Sequence, residues 1–206
     1  MSPTGTTGLI RSARKHGLAG SVRVLATWAL LAALILLARP TIPSLALGLP
    51  FLLLGLLWRA WAAGHLLKSR ELAVRGPYRH VQNPLYFGRL CILTGCGLAA
   101  RLPVTVGGVE FPAHLGVLAL FFLVFFGYYL PRKRRVEGQR LDKLHGEAWA
   151  AWSRHVPEII PRLTPYGRNV RAWSAERFHD NGEGLMVAFI VALGLALTWR
   201  AGLLGF

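Results

Sequence analysis

Acidic residues are scarce in this chain, with nine Asp and Glu against 24 Lys and Arg in 206 residues. Only 16% of the residues are charged, 53% are hydrophobic and mean hydropathy is +0.42, which excludes an ordinary soluble domain. The two cysteines, Cys91 and Cys96, sit five apart and so fall on different faces of a helix. That spacing argues against a disulfide or a metal pair and for small buried packing residues. His65 and His80 each lack a second ligand at metal spacing, so no metal is expected. No Ser-His-Asp or Cys-His arrangement supports covalent catalysis. Gly95-Cys96-Gly97 is too short for a nucleotide fingerprint and suits close helix packing instead. Although the net charge is +15, the basic residues form no recognised nucleic-acid module, so no nucleic-acid partner is expected. The first apolar run is followed by Arg39-Pro40-Thr41-Ile42-Pro43 and a second run, without a small-residue cleavage site, so that first segment is expected to stay.

What the chain does have is five apolar runs, at residues 24–38, 45–58, 90–100, 115–130 and 185–199. Each falls short of the roughly 20 residues needed to cross the ~30 Å hydrocarbon core. Arg23, Arg59 and Arg89 are expected to snorkel and lengthen the first three, and Trp28, Trp58, Trp61, Tyr128, Tyr129 and Trp199 to form an interfacial belt. With the N-terminus in the cytoplasm, every Lys and Arg except Arg39, Arg101 and Arg200 falls on the cytoplasmic side, a positive-inside pattern. The expected fold is therefore all-α: a polytopic membrane bundle of about five transmembrane helices, with a cytoplasmic pocket formed by loop and short helices. Residues 1–22 read as a flexible cytoplasmic tail, 23–166 as a core of four spans plus a cytoplasmic cap, and 167–206 as a connector and an added helix ending on the opposite side. Within this plan, 40–44 is a tight turn and 101–114 a loop able to form a small β-hairpin around Gly107-Gly108. Residues 131–146 read as a soluble amphipathic helix ended by Gly146, and 147–155 as a second one with Trp149 and Trp152 on one side. Pro157, Pro161 and Pro165 then force an extended path, across a site or along the membrane surface.

Two polar clusters are expected on the cytoplasmic face. Residues 76–88, reading Gly-Pro-Tyr-Arg-His-Val-Gln-Asn-Pro-Leu-Tyr-Phe-Gly, are broken by two prolines, so the backbone must turn and is expected to leave amides free for a ligand. Asn83 is expected to cap a helix whose first turn holds Pro84. Tyr78 and Tyr86 fit equally well as interfacial anchors or as site residues. Glu137 lies among Arg132, Lys133, Arg134, Arg135 and Arg140, which reads either as a basic collar with one i,i+3 salt bridge or as the second wall of an apolar-sided pocket.

These motifs, with His145-Gly146, Trp149, Trp152 and the segment 156–161 following in order, resemble the isoprenylcysteine carboxyl methyltransferases and the related phospholipid N-methyltransferases over about residues 56–165. The resemblance implies a helical membrane enzyme that uses S-adenosylmethionine and a lipid or prenylated acceptor, with the bilayer as its surroundings. Carried over residue by residue, it implies cofactor contacts from Arg70, Leu72, Ala73, Tyr78, Asn83, Pro84, Leu85, Tyr86 and Glu137. It sets Lys133 beside the acceptor and makes Lys133, Arg134 and Glu137 the candidate catalytic groups. The chain departs from the pattern at Gln82, where the family commonly carries a cation, at Gly138, where it carries a second acid, and at Lys133, where the prenylcysteine enzymes use Arg. A sterol-reductase-type enzyme using NADPH and a non-enzymatic binder of anionic lipid are the rival readings.

Overall fold

The computed structural model describes residues 36–66, 72–168 and 172–203. The chain forms two units, 1–38 and 39–206. Of the first, only Leu36, Leu37 and Ala38 are described, so the expected tail and most of the first apolar run lie outside the described residues.

Helix α1, Ile42–Ala63, begins at a capping box. Thr41 Oγ1 accepts from Ser44 N–H at 3.3 Å, and Ser44 Oγ accepts from Thr41 N–H at 2.8 Å. Ser44 Oγ also donates to Ala99 O at 3.1 Å, which levels the start of α1 with the end of α2, Pro84–Ala100. The two helices run antiparallel and touch backbone to backbone at two glycine pairs. A Cβ on Gly48 would lie 2.5 Å from Gly95 O, and one on Gly55 would lie 2.6 Å from Gly88 O. Both pairs repeat at seven residues, so they stack on one stripe where small residues permit the closest approach. Gly97 opens the other side of α2, where a Cβ would meet Leu118 Cδ1 at 2.7 Å. Cys91 and Cys96 are buried and unpaired.

After α2, Arg101 takes a positive φ of 41° and turns the chain into an antiparallel hairpin, β1 Pro103–Val106 with β2 Val109–Pro112. Gly107 and Gly108 supply the positive φ values, 59° and 82°, that a two-residue hairpin turn requires. Helix α3, Ala113–Val124, then runs through a π-helical segment, Phe125–Tyr129, into α4, Leu130–His155. The expected separate helix from Pro131 is thus corrected at its start: the helix continues from α3 through the π-helical segment as far as the break at Gly146. Leu130 N–H reaches back five residues to Phe125 O, so Pro131, which has no N–H to give, falls at the step between two hydrogen-bond registers. Gly146, at φ 46° and ψ −121°, does break the helix, and the final turns to His155 leave in a new direction.

The expectation that Arg59 snorkels is overturned. Its side chain is inside, 8% exposed, donating through Nε and Nη2 to the Glu183 carboxylate at 3.0 and 2.5 Å and through Nη1 to Leu85 O at 2.9 Å. Glu183, 5% exposed, is the first residue of α6, Glu183–Arg200. The connector before α6 carries a short helix α5, Ala175–Asp180, and caps the end of α1. Trp173 Nε1 donates to Ala60 O, Asn181 Nδ2 to Ala63 O and Leu66 O, and Arg177 Nη1 and Ser174 N–H to Gly64 O. The C-terminal segment thereby supplies donors for Gly64 O and Leu66 O beyond the end of α1 and second donors for Ala60 O and Ala63 O, which already accept from Gly64 and Leu66 N–H.

The outer surfaces are apolar: α3 has no buried residue, and Leu115, Val117, Leu120 and Leu123 stand exposed on it. Ile42–Ala63, Ala113–His155 and Glu183–Arg200 are long and apolar enough to cross a membrane, while Pro84–Ala100, at 17 residues, is apolar but shorter. Apolar helices that turn their glycines and the Arg59–Glu183 pair inward and their leucines outward suit a lipid surrounding.

Breaking one member of a buried pair strands the other charge. Glu183→Ala is expected to cost about 3–5 kcal/mol, and the double change Arg59→Met with Glu183→Leu to restore most of it, read by thermal unfolding in detergent. Gly95→Leu is expected to lower the unfolding midpoint by overpacking worth about 1–3 kcal/mol or more. Gly116→Leu, where a Cβ meets nothing within 4 Å, is expected to leave that midpoint in place.

Candidate functional site

A cleft of about 390 Å³ opens where residues 72–86 face α4. Its first wall begins with the 3-10 turn Gly76–Arg79, which drives Tyr78 into a buried cluster with Ala62, Trp152 and Val156. Trp152 Nε1 donates to Tyr78 O at 3.1 Å. The proline-bounded stretch after α4 runs as an extended strap beside this wall. Gln82 N–H donates to Pro157 O at 2.8 Å and Asn83 N–H to Glu158 O at 3.2 Å. In return Arg162 N–H donates to His80 O and Tyr166 N–H to Arg79 O, each at 2.9 Å. The amides expected to be free for a ligand are therefore engaged: those of Tyr78, His80 and Val81 close the local turn, and those of Gln82 and Asn83 bind the strap.

Asn83 starts α2 as expected but does not cap it with its side chain. Its carbonyl oxygen already takes the amides of Tyr86 and Phe87, and the side chain turns to the strap and to α4 instead. Nδ2 donates to Glu158 O at 3.1 Å, and Oδ1 accepts from Lys133 Nζ at 2.6 Å. Gln82, which has no evident role in the sequence, donates through Nε2 to Ser153 O at 2.9 Å and Val156 O at 2.7 Å, closing the end of α4 against the wall.

The second wall is the inner face of α4. Lys133 is paired with Glu137, four residues on rather than the three expected, and its Nζ lies 5.1 Å from the Tyr86 ring centroid. The lysine side chain is 10% exposed and the glutamate side chain 51%, so the cation is fixed while the carboxylate is open to an incoming group. Arg134 is paired with Glu158, which ties α4 to the strap over the cleft and raises the guanidinium further above its ordinary range. At the edge, Tyr86 and Tyr129 share one hydrogen bond between hydroxyls at 2.7 Å, so the π-helical segment supports the cleft's aromatic corner. Burial raises the Tyr78 phenol far above its usual value. The Glu183 carboxylate adds to this and Arg59 partly offsets it, so Tyr78 stays protonated and cannot act as a base.

Leu72, Ala73, Tyr78, Asn83, Pro84, Leu85, Tyr86, Lys133, Arg134 and Glu137 all line the cleft. Arg70 lies outside the described residues. Gln82 and Arg140, which belong to the two expected clusters without being singled out as site residues, also line it, as do Leu144 and Glu158, which neither cluster included. Glu158 left one usable trace, an acid held between Pro157 and Pro161 in a chain short of acids. Among the described residues no three His, Cys, Asp or Glu side chains cluster as a metal site. No protein-family model, curated protein or solved structure matches the chain.

Losing the Gln82 amide leaves two inward-facing carbonyls without their donor. Gln82→Ala is expected to cost about 1–3 kcal/mol and to speed amide hydrogen exchange selectively around residues 153–158.

Proposed function

We propose that the cleft binds S-adenosylmethionine and that the protein is an integral membrane methyltransferase acting on a lipid or lipid-like acceptor, of the isoprenylcysteine carboxylate or phospholipid amine type. The observation that carries this reading is the meeting of two sequence segments about fifty residues apart, both within the family resemblance, in one cleft holding an open carboxylate, a fixed cation and aromatic walls. In this reading the N-terminus and the cleft face the cytoplasm, the C-terminus lies on the opposite side, and α2 and residues 24–38 complete five spans.

The side chains present suit the methyl donor. Its amino-acid end carries an ammonium and a carboxylate, which match Glu137 on one hand and Arg134 and Arg140 on the other. Its cationic sulfur suits the faces of Tyr86 and the indoles of Trp149 and Trp152, and its base suits the apolar wall of Leu72, Ala73, Leu141 and Leu144. The cleft volume falls within the roughly 300–1,000 Å³ of small-molecule sites. Bound there, the donor would supply a methyl group already activated by positive sulfur, so no catalytic dyad is needed. What the chain must contribute is alignment and exclusion of water, an effect that can reach roughly 7–11 kcal/mol. Lys133, held between Asn83 and Glu137, and the Arg134–Glu158 tie across the cleft are suited to both tasks.

Titration calorimetry in detergent is expected to detect S-adenosylmethionine binding that Glu137→Gln and Tyr86→Ala each weaken. For Glu137 the lost charged hydrogen bond corresponds to about 1.5–3 kcal/mol, or roughly ten- to a hundredfold. Unchanged binding in both variants defeats the site assignment. Stabilisation of the protein by NADPH but not by S-adenosylmethionine favours the reductase. Incubation with radiolabelled donor and a total membrane lipid extract is expected to label an acceptor, and absence of label on any lipid or protein counts against methyl transfer.

A further inference from the structure

The hairpin β1–β2 carries a face that its own contacts do not explain. Val104 pairs with Phe111 and Val106 with Val109, and cross-strand partners share a face, so these four side chains form one apolar patch. They are 47% to 62% exposed. The opposite face holds Thr105 and Glu110, and the Glu110 carboxylate lies 3.0 Å from Arg101 Nη2. A two-stranded hairpin is marginal in water without a surface to pack on, and neither strand here has a buried residue.

Its position supplies the missing surface. The hairpin starts three residues after α2 ends, and that end is level with the start of α1, since Arg39 N–H donates to Ala100 O at 3.0 Å. At 17 residues, α2 spans about 25 Å by the 1.5 Å rise per residue, short of the ~30 Å hydrocarbon core. A short segment draws its flanks toward the bilayer. On the far side of the hairpin α3 begins at once, and Leu115 and Val117 near its start are exposed apolar residues as well.

We propose that the face formed by Val104, Val106, Val109 and Phe111 is seated in the boundary between headgroups and acyl chains of the leaflet at this end of the bundle, as an interfacial anchor that completes the crossing of α2. The hydrogen-bonded ladder lowers the cost of bringing backbone amides to that depth. The paired Arg101 and Glu110 keep the other face in water. The proposal rests on the bilayer reading of the helices and is independent of methyl transfer.

The test places a nitroxide label on Val106→Cys, Phe111→Cys and Thr105→Cys, one at a time, in the full chain reconstituted in phosphatidylcholine and phosphatidylglycerol nanodiscs. The unsubstituted chain, whose own cysteines are buried, is the blank. Relaxation by dissolved oxygen and by an aqueous nickel chelate is then compared. The expected result is loss of nickel relaxation with oxygen relaxation retained at 106 and 111, and full nickel relaxation at 105. Equal nickel access at all three positions overturns the proposal, because the face is then in water. Loss of access to both reagents at 106 and 111 overturns it as well, because protein, such as a second copy of the chain, then covers the face.

Discussion

The placement of the Arg59 guanidinium is the constraint on which the rest of the bundle depends. It lies inside because α1 and α2 touch at glycines: a Cβ on Gly88 would fall 2.4 Å from Arg59 Cγ, so only glycine lets this side chain pass. From there one guanidinium fixes three things, namely the rotation of α1, the position of α6 through Glu183, and the first turn of α2 through Leu85 O. An apolar pair of similar volume is often as stabilising as a buried ion pair, so the value of this one is better sought in specificity. In an apolar bundle a charge has few places to go, and an alternative packing that separated Arg59 from Glu183 would be heavily penalised.

The cleft is built upward from that turn. Leu85 is part of its lining, Asn83 and Pro84 begin the same helix, and the strap from α4 binds the amides just before it. Because those amides hold the strap, recognition of a ligand falls to side chains, which can be exchanged without disturbing the wall. The strap in turn arrives where it does because Gly146 redirects the end of α4 and Gln82 fastens it. Wall and strap thus hold one another through reciprocal backbone hydrogen bonds.

Local signals made part of this legible in the sequence. The hairpin turn at Gly107-Gly108, the break at Gly146 and the extended course of 156–166 each follow from residues whose backbone preferences act in place. The pairing of residues 72–86 with α4 was legible as two polar clusters flanking apolar runs, which is why most of the lining could be named. Partners chosen by tertiary contact were hidden. Arg59 and Glu183 are 124 residues apart, and a charge next to an apolar run reads as snorkelling until its partner is seen. Asn83 has a strong local preference to cap, but a buried lysine and a strap carbonyl outcompeted it. Pro131 reads as a helix start because its missing donor is normally costly, and only a π-helical step just before it removes that cost.

That step also decides which face of α4 meets the cleft. One extra residue in a helical turn rotates everything downstream by about 100° relative to an unbroken α-helix. With the step at Phe125–Tyr129, Lys133 and Glu137 point inward together, one turn apart, and Tyr129 is left against Tyr86. The choice of lysine at 133 then follows from its surroundings. One ammonium there meets three partners on separate side chains, the Asn83 amide oxygen, the Glu137 carboxylate and the Tyr86 ring. A compact charge with three donors can serve all of them, whereas a planar guanidinium directs its donors into one plane and suits a single carboxylate gripped two-fold. At this position the chain therefore favours a cation that joins both walls of the cleft over one reserved for an anionic ligand.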